Sequence, residues 1–208
     1  IAEVITLPGI SYLGDFMTEV DIDGLFVARQ ALRVHIARAL REDLLTRYRQ
    51  LQDQRDAYHL DSVSIGRRSL RNGILGLLAA LPDDTEIETL LFAQYHDANN
   101  MTDAIAALAL IADGDYAMRS EVLKDFAERW ADDPLVMYKW FAVQSAAIRP
   151  AVLQEVRELM EHPAFSIRNP NKVRSLIGAF VNTNPVRFHA PDGSGYRFLT
   201  EQVLQLDP

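Results

Sequence analysis

Apolar residues recur at steps of three and four along almost the whole chain. In residues 23–51, Leu25, Ala28, Leu32, Ile36, Leu40 and Leu44 keep that spacing. This predicts one long helix of about 25 residues, N-capped by Asp21 or Asp23. Arg29, Arg33 and Arg41 fall off the stripe and are expected to be solvated. A second helix opens at Asp61 or Ser62. It carries Gly66, Gly73 and Gly76, each costing about 1 kcal/mol of helicity against Ala. Close packing on a neighbouring helix or close approach of a ligand would explain them. Packing is favoured, because the segment becomes strongly apolar towards its end.

Punctuation marks the remaining elements. Pro82 stops the second helix, and Thr85 with Glu88 reads as a capping box for the third. Asn99 and Asn100 break the chain before a short apolar helix ending near Gly114. Another helix spans 116–132, and Asp133 with Pro134 at the first helical position opens the next. Pro150 opens a further helix and Pro163 ends it. Asn169 and Pro170 open another, and residues 192–206 form the last. Its apolar side, with Phe198, Val203 and Leu204, is expected to lie open. Only residues 2–9 have β character. The fold class is therefore all-α, with about nine helices in antiparallel pairs. A compact bundle and an armadillo- or HEAT-like α-solenoid both fit; the absence of a strict period favours a short, irregular solenoid.

Composition narrows the function classes. The 208 residues include no Cys, which excludes disulfides and thiolate zinc sites. No window has the ~18 to 20 uninterrupted apolar residues that cross a bilayer, so no membrane partner is expected. The net charge of −8 and the lack of a long basic block argue against nucleic acid. The densest basic stretch is Arg67, Arg68 and Arg71. Both chain ends read as cut, which suggests a piece of a larger protein.

No self-contained chemistry is visible, and no catalytic or metal-binding residue is assigned. His35, His59, His96, His162 and His189 form neither H-E-x-x-H nor an i, i+4 pair, and His96 and His162 read as helix-end residues. No nucleophile elbow is present. The Gly-rich 192–195 stretch reads as a turn and helix start. Glu86 with Glu88, and Asp132 with Asp133, sit at helix starts where they complement the dipole. Trp130, Tyr138, Trp140 and Phe141 read as core between consecutive helices.

Five ordered blocks carry a family resemblance: "IGRRSLRNGILGLLA", "ANNMTDAIAALA", "ERWADDPLVMYKWFAVQSAA", "FSIRNPNKVRSLIGAF" and "FHAPDGSGYRFL". Together they resemble the C-terminal helical region of bacterial aminopeptidase N, the alanyl aminopeptidases of the zinc gluzincin peptidases. The resemblance implies a parent enzyme that releases N-terminal residues from peptides. Its zinc motif and substrate-gripping G-A-M-E-N loop belong to a catalytic domain absent here. This fragment alone is then inactive and holds no zinc. It implies residues 1–20 as a linker and 21–208 as the helical-repeat domain, truncated before its last helices. That domain covers the active-site cleft and forms the substrate chamber, with its own catalytic domain and peptides as partners, in the cytoplasm. The alternative from a different class is a free-standing helical-repeat module that binds another protein.

One feature resists ordinary helix chemistry. Lys172 and Arg174 lie near the start of the helix opened by Asn169 and Pro170, where the dipole disfavours cations. Val173, Leu176, Ile177 and Phe180 form its expected buried stripe. An Arg in the place of Arg174 is part of the family motif, whereas Lys172 is a position where either basic residue serves. The resemblance makes Arg174 a substrate-channel candidate. It would hold a peptide carboxylate or carbonyl, or tie the domain to a neighbour; a solvated or intradomain ion pair is the plainer reading.

Overall fold

Side-chain oxygens placed one residue before an apolar period are what start these helices. In the computed structural model, which describes residues 2–52 and 58–206, Asp21 accepts from the Gly24 amide at 2.8 Å and starts α2 (Ile22–Ala39). Asp61 accepts from the Val63 and Ser64 amides and starts α4 (Ser62–Leu78), after α1 (Ile10–Gly14) and α3 (Arg41–Gln50). Asp84, not Thr85, caps α5 (Thr85–Asp97), through the Glu86 and Ile87 amides at 3.2 and 3.3 Å. The expected Thr85–Glu88 box is displaced because Asp83 turns the chain with φ 56°, bringing the Asp84 carboxylate onto the helix axis.

The chain is all-α, as the periodicity predicts, with no strand among the described residues. Among the described residues there are about twelve helices rather than nine. Two differences account for most of this. The expected single helix breaks at Leu40, which has φ −114° and ψ 14°, and α3 starts anew at Arg41. Residues 185–188 add a short helix that the pattern is too brief to reveal. Residues 2–5 form a 3₁₀ turn where β character was expected.

The chain divides into two compact units, residues 1–110 and 111–208. The first unit buries Leu45 and Tyr48 of α3, Ile74, Leu75 and Leu78 of α4, and Ile87 and Leu91 of α5. The three arginines off the α2–α3 stripe are not merely solvated. Arg29 donates to the Pro8 carbonyl at 2.8 Å, Arg33 to the Gly76 carbonyl at 2.7 Å, and Arg41 to Asp84 at 2.8 Å. Each satisfies an acceptor on another segment. Of the three α4 glycines, Gly73 alone meets a neighbour: a Cβ there would lie 3.3 Å from the Ile5 side chain. The packing explanation holds at Gly73 and leaves Gly66 and Gly76 beside open space.

The first unit also buries a polar lattice. Asp103, in α6 (Met101–Asp113), is 3% exposed. It takes Arg71 Nη2 at 2.7 Å, Asn72 Nδ2 at 2.9 Å and Asn100 Nδ2 at 2.8 Å. Gln94 links Asn72 to Tyr48, whose hydroxyl donates to Gln94 Oε1 at 2.8 Å. Burial pushes the Tyr48 hydroxyl up to about 12, so it remains a donor. The buried Asp103 charge is held by three donors, as such a charge requires, whereas Arg71 Nε is buried without an acceptor.

The second unit is built from α7 (Arg119–Arg129), α8 (Pro134–Ser145), α9 (Val152–Met160) and the helical stretch from residue 170 onward. Asp133 caps α8 through the Leu135 and Val136 amides, with Pro134 next, as expected. Trp140 and Phe141 are core, the Trp140 indole N–H donating to the Leu123 carbonyl at 2.8 Å. Trp130 and Tyr138 are only half-buried. In α13 (Ser194–Leu206), Phe198 is fully buried, edge-on to Phe180 at 5.8 Å and covered by Arg157. Of the three residues expected on an open face, Val203 and Leu204 are exposed and Phe198 is not. Gly195 makes this packing possible: a Cβ there would lie 2.1 Å from the Phe188 carbonyl oxygen, in α12 (Pro185–Phe188).

Candidate functional site

Asn169 starts the segment that carries the two unexplained cations. Its Oδ1 accepts from the Asn171 amide at 3.0 Å and the Lys172 amide at 3.4 Å, and Pro170 takes the first position of α10 (Pro170–Val173). Residues Arg174–Gly178 then form one π turn before α11 (Ala179–Thr183). Leu176, Ile177 and Phe180 are buried as expected, and Val173 is half-buried. A π turn weakens the regular hydrogen-bond ladder, and such turns are frequent at functional sites. Arg174 is its first residue and is exposed. Among the described residues its guanidinium makes no hydrogen bond or ion pair, and neither does the Lys172 ammonium. The intradomain ion pair that would have explained Arg174 is absent among those residues.

The other candidates resolve into structural roles. Arg68 is buried over the Tyr58 ring at 4.8 Å, and Arg71 is bound to Asp103. Glu86 pairs with Arg41 and Arg49, and Asp133 is a cap. In the 192–195 turn, Gly193 has φ 70° and Asp192 accepts from the Ser194 amide at 2.8 Å; that hydroxyl and amide hold the Asp192 carboxyl below its ordinary value. His96 lies against Phe92 and Tyr95, and His189 against Tyr196. Among the described residues no three His, Asp or Glu gather as a metal set, so they offer no fit to a zinc ion. No helix among them is long and apolar enough to cross a membrane.

A groove of about 570 Å³ in the second unit was not visible in the pattern. Leu123, Trp140 and Leu159 form its apolar walls, and Glu128, Glu155, Glu158 and Glu161 its acidic rim. Arg119 is already held by Glu155 at 2.6 Å and the Ala112 carbonyl at 2.9 Å. His162 stacks near Trp140 at 5.1 Å, its Nδ1 accepts from the Ala164 amide, and burial lowers its pKa. It lies just past the end of α9, as expected from sequence, but as a half-buried wall residue and not a surface one. The Glu155, Glu158 and Glu161 spacing of three was the available signal, but it also fits a solvated helix face.

Comparison with known proteins follows the same division of matched and missing parts. A family described as a domain of unknown function (DUF3458_C) with ARM repeats matches residues 1–208. Aminopeptidase N of Escherichia coli (strain K12) is 37% identical over 207 residues, covering 99% of this chain and 23% of that protein. Aminopeptidase N of Haemophilus influenzae is 37% identical over 205 residues, covering 98% and 23%. A crystal structure of Legionella pneumophila aminopeptidase A in complex with aspartic acid superposes with a TM-score of 0.89 at 30% identity, over 99% of this chain and 25% of that one. The chain spans about a quarter of the length of the relatives it matches.

Proposed function

We propose, from the premise that this chain belongs to the ARM-repeat family DUF3458_C and is a C-terminal domain of aminopeptidase N, that it serves as the non-catalytic cover of a zinc aminopeptidase. In the parent it lies over the active-site cleft and forms the wall of a chamber in which peptides lose their N-terminal residues. Its partners are its own catalytic domain and those peptides, and the parent works in the cytoplasm. The carrying observation is the match over 99% of this chain to a protein named as an aminopeptidase, by a chain whose described residues gather no metal set. In this reading the zinc is held by other parts of the parent. A free-standing interaction module is not favoured, because the match runs through the whole chain instead of one repeat.

In this setting residues 1–20 are the linker and 21–208 the helical-repeat domain, and Arg174 is a chamber residue. Its exposed guanidinium, at the start of a π turn and with no partner among the described residues, holds the carboxylate or carbonyls of a bound peptide. The test is Arg174→Ala in the full-length enzyme, assayed on a single-residue amide and on a tetrapeptide. Peptide holding raises KM for the tetrapeptide about tenfold, as loss of one charge-assisted bond does, and leaves the amide unchanged. Equal behaviour on both substrates with unchanged thermal stability reduces Arg174 to a surface charge.

A further inference from the structure

Gly76 of α4 is explained neither by packing nor by that reading. A glycine inside a helix costs about 1 kcal/mol against Ala, and a Cβ at Gly76 would meet nothing within 4 Å. Gly76 lines a pocket of about 250 Å³ formed by the N-terminal segment, α2 and α4. Ile5, Leu7 and Leu77 give the pocket apolar walls, and Gly73 lets the Ile5 side chain close on α4. Arg29 and Arg33, one turn apart on α2, line it as well, and no Asp or Glu among the described residues does. Arg29 is tied through Nε to the Pro8 carbonyl at 2.8 Å and through Nη2 to the Leu7 carbonyl at 3.4 Å; its Nη1 group has no acceptor among the described residues. Arg33 donates to Gln30 Oε1 at 2.8 Å and to the Gly76 carbonyl at 2.7 Å. These acceptors are uncharged, so they orient both guanidiniums without supplying a counter-charge. Two oriented guanidiniums at one pocket attract an anion.

We propose that this pocket binds a small organic carboxylate, either the C-terminus of a peptide or a free short-chain acid. Its oxygens take the Arg29 Nη1 donors and face the Arg33 charge, and its apolar stem lies along Ile5, Leu7 and Leu77. The open side of Gly76 leaves room for the ligand against the α4 backbone. The pocket is smaller than the ~300–1,000 Å³ of drug-sized sites, so it admits only a short stem. A guanidinium fork matches a planar carboxylate, and a phosphate has no apolar side to set against the three aliphatic walls. The site lies wholly within the first unit and does not involve Arg174.

The isotope-labelled chain is titrated with isovalerate, a free acid, and with N-acetyl-leucine, which mimics a peptide C-terminus; the amide of each is its neutral twin, and inorganic phosphate is the control. The Nε–H groups of Arg29 and Arg33 and the backbone amide of Gly76 are followed by NMR. Saturable shifts at all three are expected with at least one acid. Shifts with N-acetyl-leucine assign the peptide terminus as the source, and shifts with isovalerate alone assign the free acid. The neutral twins and R33Q each weaken binding about tenfold, as expected for a lost charge-assisted bond. R33Q also takes a donor from the Gly76 carbonyl, so G76A is the second variant. Its methyl enters open space, so the urea midpoint holds or rises, while the occupied pocket loses affinity about tenfold, as overpacking by one methyl does. No shift with either acid, equal affinity for a neutral twin, phosphate binding as tightly as the acids, or undiminished binding by either variant overturns the proposal.

Discussion

Two of the short basic clusters on the helices of this chain meet opposite fates. On α4, Arg68 is buried over Tyr58 and Arg71 is sunk onto Asp103. In α10 and the π turn that follows it, Lys172 and Arg174 have no polar partner among the described residues, and Arg174 is exposed. Sequence spacing is similar in the two places. What differs is whether a distant segment delivers acceptors to the cation: α6 brings Asp103 to α4, whereas no described residue of the second unit brings a carboxylate to Arg174. A basic pair on a helix thus says that a cation is present, and only the fold says whether it is spent. Arg41 stands between the extremes, bound to Asp84 and Glu86 at the partly open start of α5.

Arg71, Arg41 and Arg174 predict a graded series. The largest effect is expected at the buried end. Asp103→Ala strands the Arg71 guanidinium without its counter-charge and should cost about 3–5 kcal/mol, the usual penalty for breaking a buried pair, read from the urea midpoint of the chain. A loss under about 1 kcal/mol, the range of exposed pairs, would place Arg71 with Arg174 and dissolve the contrast.

The intermediate case is visible in pH. The Arg41 guanidinium, with help from the Ile87 and Glu86 amides, holds the Asp84 carboxyl below the ordinary 3.8. The folded carboxyl therefore takes its proton at lower pH than the unfolded one. Its stabilisation is complete above pH 3.8 and fades as pH falls through the folded value. Asp84→Asn, which keeps a capping oxygen, should flatten the acid limb of the stability–pH curve below that pH and shift stability modestly at neutral pH. An acid limb identical to that of the parent chain would show that other carboxyls carry it.

The smallest effect is expected at Arg174. With no contact to lose, Arg174→Ala in this chain should change stability by less than about 0.5 kcal/mol, measured by the same urea melts. A larger loss would mean that the side chain is spent inside the domain after all, and would remove the basis for a role towards a peptide.

Helix starts were legible because capping is local. Asp61, Asp133 with Pro134, and Asn169 with Pro170 each satisfy amides two or three residues on, within reach of any reader of the sequence. Thr85 misled because the competing cap, Asp84, was one residue away and chosen by the left-handed turn at Asp83. The break at Leu40 was hidden because its apolar spacing is unbroken; only the backbone dihedrals change. Arg174 could be singled out from sequence as a cation against the dipole, whereas the groove could not. Its walls come from three helices, α7, α8 and α9, which no local spacing brings together.

The sequence by itself determined the all-α class, most of the helix starts and the family, because period, caps and motif blocks are written in neighbouring residues. The tertiary structure alone decided which arginines are spent, where Phe198 is buried and where carboxylates stand without cations. Those outcomes depend on pairs far apart in the chain, such as Arg71 with Asp103 and Phe180 with Phe198. No local rule sets which distant side chain arrives to satisfy or cover a given group; packing of the whole core does.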